Sequence, residues 1–243
     1  MHIITWNCNM AFRKKTKLIL KYKPDILVIQ ECEHADKIQF ETKNCKLQNA
    51  LWFGENQHKG LGVFSFNNFQ MRVLDVHNEN YKTVVPISIT NKDFEFVLFA
   101  IWANNPNDKD GQYVTQVWKA IHYYESIFTN KLVILTGDFN SNTIWDRPKR
   151  IGNHSHVVEY LATKNVHSIY HNHYKQIQGK EKHPTFYLYK HQNKPYHLDY
   201  CFASAQMLNR VKSIKIGDYA SWKAYSDHVP LIVRFNADLY NYS

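Results

Sequence analysis

The chain is 243 residues long, with 44% hydrophobic residues, 15% aromatic residues and a formal net charge of +9. These values suit a folded protein with a substantial core and exclude a disordered or low-complexity chain. The positive charge favours a polyanionic partner, such as nucleic acid or a membrane surface, and argues against a cationic substrate.

Nothing in the sequence indicates a membrane span or a secretory leader. No apolar run approaches the ~18 residues of a transmembrane helix, and residues 1–7 have the pattern of a strand rather than of a signal peptide. The four cysteines form no Cys-x-x-Cys pair, so we expect buried thiols in a reducing compartment rather than a zinc site. We therefore predict a cytoplasmic, monomeric protein that does not bind membranes.

Hydrophobic patterning predicts many strands and a few helices. In chain order the predicted strands cover residues 2–7, 26–29, 50–53, 61–66, 71–77, 82–90, 94–102, 131–135, 185–190, 196–203, 211–216 and 229–235. Helices are predicted over residues 12–22, 112–128 and 155–163, the last capped by Asn153 or Ser155. Residues 91–93 are predicted to form a hairpin turn, 104–111 and 142–153 polar loops, and 185–203 a hairpin. The pattern over 165–182 predicts no element.

This arrangement of elements favours a layered α/β architecture. The hairpin-rich middle of the chain argues against a purely parallel, doubly wound sheet. We predict two mixed sheets packed face to face with helices outside, in a single domain over residues 1–243, because no repeat, linker or composition break divides the chain.

Short polar clusters stand at the ends of several predicted strands. The strand at 131–135 runs into Thr136-Gly137-Asp138-Phe139-Asn140, where an extended backbone points Asp138 and Asn140 to one side. Alone, this cluster is more typical of a turn with local hydrogen bonds. The other clusters contain Asn7, Glu31, Asp199 and Asp227-His228.

Converging strand ends would form an acidic, amide-rich pocket with one imidazole. Carboxylate and amide oxygens are the ligands that Mg²⁺ prefers, and a metal would offset the repulsion between the acids and a phosphate. An imidazole beside a carboxylate is a suitable donor to a phosphoryl oxygen. The clusters therefore indicate hydrolysis of a phosphate ester by water.

The motifs, taken in order, resemble a known family. They are Thr5-Trp6-Asn7, Ile29-Gln30-Glu31, Gly137-Asp138-Phe139-Asn140, His197-Leu198-Asp199-Tyr200 and Ser226-Asp227-His228-Val229-Pro230. Together they are similar to the signature series of the endonuclease/exonuclease/phosphatase superfamily, over nearly the whole chain. The resemblance implies a DNase I-like fold, a four-layered α/β sandwich with two packed mixed sheets flanked by helices.

The resemblance also implies a metal site. Glu31 would be the principal Mg²⁺ ligand, with Mn²⁺ as a possible substitute. Asn7 would lie close by and bind metal or phosphate, and Asp227 would complete the site.

The remaining motif residues would be catalytic by the same resemblance. Asp138 would orient or deprotonate the attacking water, and Asn140 would hold a phosphate oxygen and help to position Asp138. His228 would donate to the phosphate in the transition state, oriented by Asp199.

Trp102 is a departure from the family pattern, which usually has a His or Tyr in contact with the phosphate at this position. An indole offers one donor and no acceptor. Trp102 would either pack at the strand end or stack on a base or sugar, and Asn104 or Asn105 would then supply the phosphate contact.

A DNA endonuclease or exonuclease is the favoured function. The net charge, the basic helix predicted over 12–22 and the loop after Asp138 support it, because that loop carries potential DNA contacts at Trp145, Arg147, Lys149 and Arg150. The alternative enzyme is a phosphatase or phosphodiesterase for a small nucleotide, inositol phosphate or lipid headgroup. An inactive nucleic-acid-binding relative and a structural protein are the non-enzymatic alternatives, and the retained acids and His argue against both. Residues 194–196 do not match the abasic-site pocket of AP endonucleases, so a general nuclease is favoured over that activity.

Overall fold

The computed structural model describes residues 1–40, 45–92, 94–104 and 113–236 of the chain. Its strands, in chain order, are β1 (His2–Asn7), β2 (Ile26–Cys32), β3 (Leu47–Asn56), β4 (Lys59–Phe66), β5 (Gln70–Val73), β6 (Val84–Asn91), β7 (Phe94–Trp102), β8 (Val133–Asp138), β9 (Val166–Ser168), β10 (Phe186–Tyr187), β11 (Pro195–Tyr196), β12 (Asp199–Ser204), β13 (Val211–Ile216) and β14 (Leu231–Phe235). The α-helices are α1 (Thr16–Leu20), α2 (Val114–Tyr123), α3 (Ile127–Asn130), α4 (His154–Thr163), α5 (Ile169–Tyr174), α6 (Ala205–Leu208) and α7 (Tyr219–Trp222).

Most of these strands belong to two six-stranded sheets, and β10 and β11 form a small separate hairpin. The first sheet has the order β13-β14-β1-β2-β4-β3 and the second the order β5-β6-β7-β8-β12-β9. In each sheet one neighbouring pair is parallel, β1 with β2 and β7 with β8, and the other described pairs are antiparallel. Both sheets are therefore mixed, as predicted.

The two sheets pack face to face across a shared apolar core. Ile3 and Val28 of the first sheet belong to the same buried cluster as Val85, Leu98 and Ile134 of the second. Helices α2 and α4 cover the outer face of the second sheet, and α1 and α7 contribute to the cluster on the outer face of the first. The four-layered α/β sandwich implied by the sequence is confirmed.

The strand directions bring the polar strand ends to one edge of the sandwich. The carboxyl ends of β1, β2, β7 and β8 and the amino ends of β12 and β14 lie at this edge, because β12 runs antiparallel to β8 and β14 antiparallel to β1. Gln30, fully buried, joins the sheets there: its Nε2 donates to Ile101 O at 3.1 Å and to Thr5 Oγ1 at 2.9 Å.

The helix predicted over 12–22 is shorter and interrupted. A 3₁₀ turn at Phe12–Lys14 precedes α1, with Lys15 between them. The Lys15 ammonium donates to four backbone carbonyls, those of Cys8, Asn9, Met10 and Tyr225, at 2.6–3.3 Å. This contact ties the loop after β1 to the segment before β14, which a helical pattern alone could not indicate.

Other elements also differ from the sequence expectation. The helix predicted over 112–128 is divided into α2 and α3, and the 165–182 segment forms β9 and α5. The hairpin predicted over 185–203 is reduced to the two-residue strands β10 and β11, because β12 pairs instead with β8 and β9. The capping of α4 by Asn153 is confirmed by its capping box. The predicted loop at 104–111 lies largely outside the described residues, as does Asp93 of the turn between β6 and β7.

The four cysteines are free thiols, and each is buried. None of the described helices has the length and apolar character needed to cross a membrane.

Candidate active site

Asp138, the last residue of β8, is fully buried at the edge where the sheets meet. Its Oδ2 accepts from Asn7 Nδ2 at 3.0 Å and from Asn140 Nδ2 at 3.1 Å, and its Oδ1 accepts from Asn140 N at 2.8 Å. Burial raises the pKa of Asp138 to about 7, against the opposing effects of His228 and of the hydrogen bonds from Asn7 and Asn140. A carboxyl group with such a pKa can exchange a proton near neutrality.

A close approach of two strands positions this carboxylate. Gly137 has φ +150°, and a Cβ built on it would lie 1.8 Å from the carbonyl oxygen of Ile101 on β7. Only glycine allows the approach. Asn140 follows with φ 45° and donates its Nδ2 to Ala103 O at 3.0 Å, so the turn after β8 is fastened to the end of β7.

His228 and Asp199 form a buried pair beside Asp138. His228 Nδ1 is 2.8 Å from Asp199 Oδ2, and His228 Nε2 is 3.9 Å from Asp138 Oδ2. Burial alone would lower the pKa of His228, but the charges of Asp199 and Asp138 and the hydrogen bond to Asp199 raise it to about 10. The imidazole is therefore held as a cation between two carboxylates.

Glu31 reaches the site from a bulge in β2. The register between β2 and β4 shifts between Gln30 and Cys32, and Glu31 has φ 56°, the left-handed region that a non-glycine residue rarely adopts. Its Oε1 lies 3.5 Å from Asn7 Nδ2 and 3.3 Å from Lys59 Nζ. Such strain is typical of functional positions.

Asp227 is connected through Asn9 to Asn7, the last residue of β1. Asn9 N donates to Asn7 Oδ1 at 3.1 Å, and Asn9 Nδ2 donates to Asp227 Oδ1 at 3.2 Å. Ser226 Oγ donates to Asn7 O at 2.8 Å, which fixes the segment before β14 against β1.

Two groups of side chains offer ligand atoms to a cation. Glu31, Asn7 and Asp227 offer partly exposed carboxylates and an amide, a donor set that suits Mg²⁺. The Lys59 ammonium on Glu31 shows that this carboxylate accepts a positive charge. Asp138, Asp199 and His228 have ligand atoms within 4.8 Å of one another. They already hydrogen bond within the site, and an imidazole is a poor Mg²⁺ ligand, so the Glu31 group fits this metal better.

Comparison with protein families agrees with this geometry. Residues 4–228 match the sequence profile of the Endonuclease/Exonuclease/phosphatase family. The chain belongs to this family. It is a phosphate-ester hydrolase, as its motifs imply. Comparison with curated protein sequences gives no match.

Solved structures of two endonucleases and a 3′ phosphatase share the fold at low sequence identity. The 3′ phosphatase NExo from Neisseria, bound to a product DNA hairpin, has a TM-score of 0.68 and 16% identity, over 97% of this chain and 99% of that one. An AP endonuclease from Archaeoglobus fulgidus has a TM-score of 0.65 and 15% identity, over 98% and 100%. The endonuclease domain of the telomere-specific non-LTR retrotransposon TRAS1 has a TM-score of 0.65 and 14% identity, over 97% and 98%.

The predicted substrate residues lie on two sides of the site. Trp102 ends β7 in register with Asp138 and is buried, with its ring 5.7 Å from Lys59 Nζ. Asn104 lines a cavity of about 530 Å³ together with Trp102 and Lys59. Asn105 lies outside the described residues.

The predicted DNA-contact residues in the loop after Asp138 differ in their exposure and contacts. Trp145 is 44% exposed and ends a 3₁₀ turn, Thr143–Trp145, that Asn142 caps. Arg147 and Lys149 are exposed to solvent. Arg150 donates Nη2 to Thr115 Oγ1 at 2.8 Å, so part of its guanidinium contacts α2.

An aromatic row, defined as Phe186, Tyr196 and Trp145, extends from His228 and was not anticipated from the sequence. The Phe186 ring centroid is 4.6 Å from that of His228 and 6.3 Å from that of Tyr196, and Tyr196 is 4.9 Å from Trp145. The spacing of aromatic residues in the 185–196 segment was the sequence feature that could have indicated this row. The position of Lys59 beside Glu31 was also not predicted from the sequence, because it depends on the bulge at Glu31.

Proposed function

We propose that the protein is a Mg²⁺-dependent phosphodiesterase that cuts DNA, as an endonuclease or exonuclease, with an activated water. The observation that carries this proposal is the convergence of three groups at one sheet edge: the Asp138 carboxylate, the Asp199–His228 pair and the Glu31 carboxylate. A base, a cationic donor and a metal-binding acid are the groups that hydrolysis of a phosphodiester requires.

Glu31, Asn7 and Asp227 would hold the metal ion. When bound, Mg²⁺ would polarise a phosphoryl oxygen and offset the negative charge that the acids present to a phosphate. The bulge at Glu31 and the Asn9 bridge to Asp227 keep these oxygens at the same strand end.

Asp138 would take a proton from the attacking water. Its Oδ2 faces the His228 side of the site, and the Asn7 and Asn140 amides hold the carboxylate in one orientation. A fixed orientation would aim the carboxylate at a water molecule that lies in line for attack on phosphorus. Asn140 donates its two amide N–H groups to Asp138 Oδ2 and to Ala103 O, so its role would be to position Asp138, and it has no amide N–H left for the phosphate oxygen that the resemblance implies.

His228 would donate a hydrogen bond from Nε2 to a non-bridging phosphate oxygen. Asp199 binds Nδ1, so Nε2 is the ring nitrogen left for a substrate, and the two carboxylates keep the ring protonated. A cationic donor stabilises the negative charge on the non-bridging phosphoryl oxygens as the water attacks.

DNA as the substrate is supported by surfaces around the site. The aromatic row offers ring faces on which bases can stack, and its outermost member, Trp145, is the most exposed. Exposed Arg147 and Lys149 and the net charge of +9 suit contacts to backbone phosphates. The Neisseria relative is itself described as bound to a DNA hairpin.

A phosphatase or phosphodiesterase for a small phosphate ester is the second candidate. The cavity of about 530 Å³ beside Trp102 carries it, because this volume lies in the range of small-molecule sites. The single-domain organisation, the monomeric state and the cytoplasmic location stay predictions from the sequence.

The test is a substrate panel with Mg²⁺, with Mn²⁺ and with EDTA. Plasmid DNA, an abasic duplex, RNA and small phosphate esters are incubated with the protein, and DNA affinity is measured against salt concentration. We expect metal-dependent cleavage of DNA and an affinity that falls steeply with salt. Turnover of small esters alone, with a flat salt response, would favour the second candidate, and no metal-dependent hydrolysis would end the proposal.

A further inference from the structure

Lys59 is a cation at the carboxylate to which we assign the metal. Its Nζ lies 3.3 Å from Glu31 Oε1, and the two side chains are 41% and 20% exposed. An ion pair at this exposure is weak and can be exchanged for other partners. The lysine stem is flexible and carries three donors, so its ammonium can reach more than one acceptor.

The fold fixes the base of this lysine beside the Glu31 bulge. Lys59 opens β4, and the next residue, Gly60, pairs with Cys32 directly after the bulge. A Cβ on Gly60 would lie 2.4 Å from the Trp52 ring, whose Nε1 donates to Cys32 O at 3.0 Å. The register, and with it the placement of Lys59, is therefore held by close packing around Gly60.

Lys59 also lies close to Trp102, the residue that departs from the family pattern. Its Nζ is 5.7 Å from the centroid of the Trp102 ring, and Trp102 is in register with Asp138. Trp102 offers a single N–H donor and carries no charge. Lys59 thus brings a cationic donor between the Glu31 carboxylate and the end of β7, at the margin of the cavity that Asn104 also lines.

We propose that Lys59 exchanges partners: it neutralises Glu31 without metal, and it binds a non-bridging oxygen of the substrate phosphate once a divalent cation occupies Glu31. A dication on Glu31 repels the ammonium, and an incoming phosphate offers it a new anion. This step rests on the proposed function and breaks no covalent bond. It gives this chain a charge-assisted phosphate contact that the uncharged Trp102 cannot make.

The test compares Lys59→Met with Lys59→Arg and with Lys164→Met. Lys164 is the control, since it also pairs with one glutamate, Glu125, and is not among the residues that line the cavity beside Trp102. Mn²⁺ affinity is measured by calorimetry without substrate, and affinity for a DNA duplex is measured in Mg²⁺ with Asp138→Asn added to each protein to prevent cleavage. Thermal unfolding of every variant confirms folding.

We expect Lys59→Met to bind Mn²⁺ about 2- to 5-fold more tightly, because a competing surface ion pair is lost. We expect it to bind DNA about 10- to 150-fold more weakly, because a charge-assisted hydrogen bond is lost. Lys59→Arg should restore both values towards those of the wild type, and Lys164→Met should change neither.

Each half of the proposal can be overturned. Unchanged or weaker Mn²⁺ binding in Lys59→Met would exclude competition at Glu31, and unchanged DNA affinity would exclude the phosphate contact. If the wild-type protein hydrolyses no phosphate ester, the proposed function fails, whereas the Mn²⁺ titration still decides whether Lys59 and the metal compete.

Discussion

Replacing Asp199 with asparagine separates a role in orienting His228 from a role in binding metal. Asp199 Oδ2 lies 2.8 Å from His228 Nδ1, and both side chains are buried, so solvent does not screen this charge-assisted hydrogen bond. Such bonds contribute about 1.5–3 kcal/mol. Asparagine keeps an acceptor but removes the charge that stabilises the imidazolium in the transition state. At about 1.4 kcal/mol per factor of ten, kcat/KM should fall about 10- to 150-fold.

The assay measures cleavage of a DNA duplex under saturating Mg²⁺, together with Mn²⁺ affinity in the absence of DNA. Because we assign the metal to Glu31 and its neighbours, Asp199→Asn should bind Mn²⁺ as the wild type does. A loss of Mn²⁺ affinity of about tenfold or more would mean that Asp138, Asp199 and His228 hold the metal instead. Wild-type kcat/KM would refute the orienting role.

Three further changes test the turn, the acid response and the DNA surface. Gly137→Ala should lower the free energy of unfolding in urea by about 2–6 kcal/mol, because it adds overpacking to a strained backbone; a change below about 1 kcal/mol would contradict the close approach. Burial lowers the pKa of His154 to about 4, so the unfolded chain binds the extra proton first and stability is lost as pH falls from 6.5 towards 4. Over that window the wild type should lose up to about 3 kcal/mol more than His154→Gln in urea titrations, and equal losses would contradict a buried neutral imidazole. Trp145→Ala should weaken DNA binding about 5- to 150-fold in fluorescence anisotropy by loss of stacking, whereas Ile144→Ala, an exposed neighbour, should not; equal effects would remove the stacking role.

The site was predictable from the sequence where strand direction alone decides the outcome. Asn7 and Glu31 lie at the ends of the parallel neighbours β1 and β2, and Asp138 ends a third strand, β8, at the same edge. Buried parallel strands are near-continuous apolar runs, so their polar ends are conspicuous. Asp199 joins them because β12 starts opposite the end of β8, with Asp199 in register with Asp138.

Sequence-based prediction was wrong where a side-chain contact or a strand register overrides the local hydrophobic pattern. The helix over 12–22 is interrupted because the Lys15 ammonium binds the carbonyls of a loop in which Asn9, Met10 and Ala11 have positive φ. The prediction of a long hairpin over 185–203 was wrong because β12 pairs with strands that are distant in sequence, β8 and β9. Lys59 was missed for a related reason, since its approach to Glu31 requires a bulge that no composition rule indicates.

DNA cleavage by the wild type and by Asp138→Asn, under single-turnover conditions with and without Mg²⁺, tests directly whether Asp138 acts as the base. The wild type should cleave only with the metal, and Asp138→Asn should bind DNA normally while its cleavage rate falls at least ~100-fold, because the base that takes the proton from water is lost. A cleavage rate for Asp138→Asn close to that of the wild type would contradict the assignment of this buried carboxylate as the base.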